Sequence, residues 1–320
     1  MKSYSKSPVC NFAPGTKIVG KWHNKPYKII KQLGSGATGS VYLADSQDGR
    51  IALKIGINNM AITSEVNVLK HFSKVQGQVL GPSLLDVDDL VSGGNQYPFY
   101  VMEYLKGQEL LQFIQKRGDE WIGILVVQLL GDLDRLHRAG WVFGDLKPDN
   151  LIVVGPPARI RWFDVGGTTL LGRSIKEYTE FYDRGYWGQG TRKAEPSYDL
   201  FAVAMIMINC CYPSRFEKKS EKGIEQLKEA ITAKSSLRPY EGVLMKALQG
   251  RYEHAQEMRK ELVDAISSHT TYKPKPKRSQ QRQAKRKRER KQKSSVFVEI
   301  FLVVSFILLA YILYLFGQLM

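Results

Sequence analysis

Asp145, Lys147 and Asn150 fall within six residues, in the run Asp145-Leu146-Lys147-Pro148-Asp149-Asn150. A carboxylate, an ammonium and a carboxamide this close together could manage a proton and the negative charge of a phosphate at one point. The same three types also make an ordinary polar turn ahead of a strand. The triplet alone does not separate the two readings, so the elements that would have to position it decide.

Upstream, Tyr27, Ile29, Ile30 and Leu33 suggest a strand, and Val41 to Ala44 suggest a second. Between them lie Gly34, Gly36 and Gly39. A dinucleotide-binding turn would run on into a helix. Glycines between two strands instead fit a hairpin whose bare backbone N–H groups cover phosphates. A third strand, Ile51-Ala52-Leu53-Lys54-Ile55, carries a lysine among apolar residues. Burying that charge is costly without a partner. Glu65 can supply one, because Val66, Leu69 and Phe72 follow it at helical spacing. An edge-strand Lys54 pointing at solvent is the plainer alternative. Residues 76–97 read as Gly- and Asp-rich loop with short strands, and residues 99–107 as a strand ending in a linker. Ile122, Leu125, Leu129, Leu133 and Leu136 predict a long core helix stopped at Gly140, with His137 structural. Residues 151–154 and 160–163 predict a hairpin that ends at Asp164-Val165-Gly166.

Charge and cysteine usage bound the rest. The net charge is +16, but residues 273–295 hold twelve Lys or Arg against one Glu. Such a block repels itself and forms no core. It predicts contact with DNA or anionic lipid between Lys273 and Lys293, and the absence of aromatics there argues against base stacking. From Ile300 to Met320 the chain is uncharged and apolar, long enough as a helix to span a hydrocarbon core of roughly 30 Å. With the basic flank, it predicts a single-pass C-terminal anchor in the cell membrane and a cytoplasmic body. Three cysteines without framework spacing suit a reducing compartment and give no zinc pattern. Residues 1–20 lack the apolar segment of a signal peptide and read as a loose arm.

Taken in order, these motifs resemble those of bacterial Hanks-type serine/threonine protein kinases over about residues 24–268. The resemblance implies an α+β, bilobal fold with a β-rich N-lobe and a mainly helical C-lobe, followed here by the transmembrane helix. It implies domains at 1–23 (flexible arm), 24–270 (kinase), 271–295 (basic juxtamembrane linker) and 296–320 (membrane helix). ATP and Mg²⁺, with Mn²⁺ as substitute, are the implied cofactors. Protein substrates are the implied partners, and a second copy of the chain is a further candidate. Asp145 becomes the base, with Lys147 and Lys54 at the phosphates and Asn150 and Asp164 on the metal. Leu33, Gly34, Gly36, Gly39 and Val41 would cover the nucleotide, and Glu65 would hold Lys54. Met102 would back the adenine pocket, Glu103 and Leu105 would meet the adenine edge by backbone, and Glu109 the ribose. Asp199 would hold the catalytic loop, although Ser197 or Asp199 also suits a helix N-cap.

Three departures stand out. Phe143-Gly144 replaces the family's His-Arg, so the arginine that receives an activation-segment phosphate is missing. Val165 replaces Phe, and a larger Phe143 can fill the same apolar stack. The closing Ala-Pro-Glu is absent, which leaves Arg251 without its usual glutamate. Thr168, Thr169, Ser174, Thr179 and Thr191 are the candidate phosphoacceptors of residues 167–196. A non-catalytic scaffold and a small-molecule phosphotransferase remain alternatives.

Overall fold

Alternating apolar residues commit much of residues 17–103 to strands. The computed structural model describes residues 11–36, 38–74 and 80–269. It shows β1 (Lys17–Val19), β2 (Pro26–Gly36), β3 (Gly39–Ser46) and β4 (Gly49–Gly56), then helix α1 (Asn59–Phe72), then β5 (Leu84–Ser92) and β6 (Asn95–Glu103). The strands form one antiparallel sheet in the order β1-β2-β3-β4-β6-β5. One face buries Ile29, Tyr42, Leu53, Phe99 and Val101 among themselves. The other turns Ala52, Tyr100 and Met102 toward Val66, Leu69 and Phe72 of α1. Lys54 shares the parity of Ala52, so it faces the helix rather than solvent. Asn58 caps α1 by accepting the Met60 N–H at 2.8 Å.

Two expectations need correction here. Residues 17–19, assigned to the arm, pair with β2 as an edge strand. Residues 76–97, expected as loop with short strands, carry one long strand of nine residues, β5. Its acidic residues obscured it, and they have a use. Asp88 accepts the backbone N–H of Trp22 at 2.9 Å and of His23 at 2.8 Å, and Asp86 accepts the Tyr27 hydroxyl at 2.7 Å. A turn from β1 to β2 is thus fastened across the strand by carboxylates.

Beyond a three-residue linker the chain becomes mainly helical. It runs through β7 (Gly107–Glu109), α2 (Leu110–Arg117), α3 (Glu120–Arg138), β8 (Trp141–Val142), β9 (Leu151–Val154), β10 (Arg159–Trp162), β11 (Thr169–Leu170), α4 (Pro196–Cys211), α5 (Gly223–Ala233), α6 (Glu241–Leu248) and α7 (Ala255–His269). The five predicted apolar residues of α3 are all buried, each contributing about 1.5–3 kcal/mol. Thirteen of the sixteen residues of α4 are buried, which makes it the central helix of the lobe rather than a surface one. The bilobal architecture is therefore as expected. Phe143 and Val165 are buried in the same core, where the nearest ring to Phe143 is Trp162, at 5.3 Å between centroids. The basic segment and the apolar segment from Ile300 lie outside the described residues. Among the described residues no helix is long and apolar enough to cross a membrane.

Candidate active site

Helix α3 ends at Arg138, and Gly140, at φ +86°, turns the chain into β8. The loop that follows is anchored from α4. Asp199, fully buried, accepts the backbone N–H of Phe143 at 2.7 Å and of Gly144 at 2.9 Å, and His137 Nε2 lies 2.9 Å from it. The next residue is Asp145. Lys147 Nζ sits 2.5 Å from Asp145 Oδ2. Asn150 Nδ2 donates to Asp145 O at 2.8 Å, which commits the amide nitrogen and leaves Oδ1 available to a cation. A Pro148–Asn150 3₁₀ turn brings Asn150 back toward Asp145. The loop also makes contact with the activation segment. Thr179 Oγ1 accepts from Lys147 at 3.2 Å and approaches Asp145 Oδ1 at 3.4 Å.

Between the lobes lies a cavity of about 420 Å³. Of the residues expected to hold nucleotide, Leu33, Gly34, Gly36, Gly39 and Val41 line its roof, and Lys54, Met102, Glu103, Leu105 and Glu109 line its walls. Asp164 closes the far end. The glycines have two separate reasons to be glycine. A Cβ on Gly34 or Gly36 would meet nothing within 4 Å, so these positions keep space over the cavity clear. A Cβ on Gly39, at φ +153°, would fall 2.2 Å from Ile55 O, so that glycine is required by the hairpin itself. Glu103 donates its N–H to Ser83 O at 2.9 Å, leaving its carbonyl for an adenine edge. Its carboxylate is clamped by Arg161 of β10 at 2.8 and 3.1 Å.

Glu65 does not line the cavity; it stands behind Lys54. Lys54 Nζ lies 2.8 Å from Glu65 Oε1 and 2.7 Å from Oε2. The Tyr100 hydroxyl, directly opposite Lys54 in the β4–β6 register, donates to Oε2 at 2.8 Å. Burial, and then the Glu65 charge, hold the Tyr100 phenol well above its ordinary pKa. Glu177 of the activation segment is raised above the usual carboxylate range by partial burial and then by the charges of Asp145 and Asp164.

The donor set suits a metal carried largely by its substrate. Among the described residues no three His, Cys, Asp or Glu cluster as a cage. Asp164 borders the cavity, with Oδ1 accepting the Gly166 N–H at 2.9 Å, and Asn150 offers one oxygen. Magnesium usually takes one or two protein oxygens and completes its shell with phosphate and water.

Several site residues escaped sequence reading. Ala52 was visible in principle, since strand alternation puts it on the face of Lys54. Ile152 and Phe163 flank Asn150 and Asp164 on the β9–β10 hairpin and line the same cavity. Thr179, a candidate phosphoacceptor by sequence, has its hydroxyl engaged by the catalytic loop. Thr168 and Thr169 are buried and closed to a kinase in this arrangement. The glutamate before α4 has its own arginine: Arg184 Nη2 lies 2.6 Å from Glu195, so Glu195 does not depend on Arg251.

A protein kinase domain model matches residues 27–288, and the chain belongs to the protein kinase family. It is a serine/threonine kinase closely related to the serine/threonine-protein kinase YabT of Bacillus subtilis (strain 168), with 57% identity over 261 residues, or 81% of this chain and 77% of that one. Calcium/calmodulin-dependent protein kinase type 1B of Rattus norvegicus is 27% identical over 216 residues, covering 64% of this chain and 62% of its own. Among solved structures, vaccinia related kinase 3 aligns with a TM-score of 0.60 at 15% identity, over 81% of this chain and 92% of the other. That likeness speaks to the fold alone.

Proposed function

We propose that this chain is a membrane-anchored kinase that moves the γ-phosphoryl group of ATP to serine and threonine hydroxyls of proteins. The observation that carries the reading is the catalytic loop that joins Asp145, Lys147 and Asn150, beside Asp164, which lines the cavity that Lys54 and the glycine hairpin enclose. Asp145 orients the acceptor hydroxyl and takes its proton as the bond to phosphorus forms. Lys147, 2.5 Å from that carboxylate, balances the charge gathering on the transferred group. Lys54, fixed by Glu65, holds the phosphates that stay behind. Asp164 and Asn150 are the residues that would hold Mg²⁺, which when bound offsets the charge on the phosphate oxygens. Little covalent work falls on the protein, so positioning and charge are the main sources of rate.

Outside the described residues, the apolar segment from Ile300 to Met320 supports anchoring, and the basic segment from Lys273 to Lys293 supports binding to DNA phosphate that tunes activity. Wild type and Asp145→Ala, solubilised in detergent and given Mg²⁺ and labelled ATP, test the catalytic reading. Transfer to protein should fall by at least about 100-fold in the variant. Equal rates, or transfer to small hydroxyl compounds alone, would overturn it. For the tail, DNA affinity of full-length and tail-deleted chains across a salt series should differ and fall steeply with salt.

A further inference from the structure

Position 144 explains more than the loss of an arginine. Gly144 has φ +83°, and a Cβ there would lie 2.7 Å from Gly167 O. The turn after Asp164 therefore packs on the catalytic loop backbone to backbone, through the space a side chain would need. Two arginines of the activation segment, Arg184 and Arg192, are committed elsewhere. Arg184 bonds Glu195, Ser197 and the Thr191 carbonyl. Arg192 bonds Asp183, which also accepts from Tyr198. Both networks fasten the segment to itself and to the start of α4 with no phosphate involved.

One cation of the segment reaches across the active site. Lys176 Nζ donates to Ser64 Oγ at 3.2 Å and to Thr168 O at 3.1 Å. Ser64 immediately precedes Glu65 on α1, and Thr168 follows the Asp164-Val165-Gly166 turn. Three residues further on, Thr179 meets Lys147 and Asp145. Residues 176–179 thus form a strap, hydrogen-bonded at one end to the helix that fixes Lys54 and at the other to the catalytic loop.

We propose that Lys176 is a positioning residue for phosphoryl transfer, holding α1 and the metal-binding turn in their working arrangement without phosphorylation of the activation segment. Its ammonium offers three donors, two of them used on partners 112 and 8 residues away. A methionine keeps most of the apolar stem and removes the donors. An arginine restores donors on a similar stem. The proposal rests on the kinase reading above, and its test separates the two.

Full-length protein in detergent is treated with phosphatase until its intact mass shows no phosphate. Initial rates, ATP KM and α1 amide hydrogen exchange are then measured for wild type, Lys176→Met, Lys176→Arg, Ser64→Ala and Asp145→Ala. Dephosphorylated wild type should keep at least half its activity. Lys176→Met should lose about tenfold in kcat/KM for ATP, the size expected for two modest hydrogen bonds, with Tm unchanged. Exchange around Ser64 and Glu65 should rise in Lys176→Met, and Lys176→Arg should recover both readouts. Ser64→Ala should fall between them. A Lys176→Met protein within twofold of wild type with unaltered α1 exchange would overturn the proposal, as would dephosphorylated wild type losing more than tenfold. Wild type no faster than Asp145→Ala would instead overturn the kinase reading, and the exchange data would still judge Lys176.

Discussion

Replacing Asp199 by Asn is the sharpest probe of how the catalytic loop is held. The carboxylate serves three donors: Oδ2 takes Phe143 N and His137 Nε2, and Oδ1 takes Gly144 N. An amide of the same shape can keep its oxygen toward the first two. Its nitrogen then faces the Gly144 N–H, a donor against a donor in a site with no solvent exposure. The lost charge-assisted bond costs about 1.5–3 kcal/mol, and the two remaining bonds weaken to neutral ones. The expected loss is about 2–4 kcal/mol. For a domain of this size that is a drop in Tm of about 5–15 °C. Because Phe143 and Gly144 lead directly into Asp145, kcat should also fall by about 10- to 100-fold. The ATP KM should stay within about threefold, since the cavity walls are built from other elements. Differential scanning calorimetry and steady-state kinetics on purified variant and wild type measure both effects. A Tm within 2 °C of wild type together with kcat within twofold would refute the claim that Asp199 positions the loop.

Three further perturbations follow from the geometry. Arg161→Met frees Glu103 and Gly81 O from a shared guanidinium, so ATP KM should rise about three- to tenfold with kcat nearly unchanged, as expected for an exposed-edge ion pair worth about 1 kcal/mol. Gly144→Arg, the substitution that would restore the family residue, should destabilise by at least about 2 kcal/mol, because it adds a side chain at φ +83° and drives a Cβ into Gly167 O; thermal melts check the cost, and activity should drop rather than become phosphate-dependent. Burial raises the Asp86 and Asp88 carboxyls, but bonds from Tyr27, His23 and Lys25 to the first, and from the His23, Trp22 and Asp89 backbone to the second, hold both below the usual range. Folded values below unfolded ones mean stability fully present above about pH 4 and lost as pH falls through the depressed values; Trp22 fluorescence during acid titration should report release of its turn, and Asp88→Asn should weaken that transition.

The residues that frame the nucleotide cavity were legible because they broke a local rule, and Asp145, Lys147 and Asn150 became legible only in their company. A lysine inside an apolar strand, glycines between strands and a glutamate on the inner face of a helix all violate ordinary patterning, and such violations mark sites. The Lys54–Glu65 pair could be inferred from the cost of leaving that lysine alone. What stayed hidden obeyed its local rules, or its reason lay far off in sequence. The full length of β5 stayed hidden because Asp86, Asp88 and Asp89 are poor strand formers, and their partners, Trp22 and His23, lie some 65 residues earlier. Thr179 looked like any exposed hydroxyl in a polar segment, and only the fold sets it against Asp145.

Gly144 shows where a one-dimensional comparison stops. Set against its family, the position is a missing arginine and suggests a lost switch. In three dimensions the space is taken: the backbone of Gly167 occupies the side-chain position, and the segment beyond is fastened by Asp183, Arg184, Arg192 and Lys176. An arginine at 144 leaves an unpaired cation that a phosphate must answer; a glycine creates no such demand. Removing the arginine and pre-fastening the segment are therefore two parts of one change. A chain with the first and not the second would have a loose activation segment that no phosphate could order.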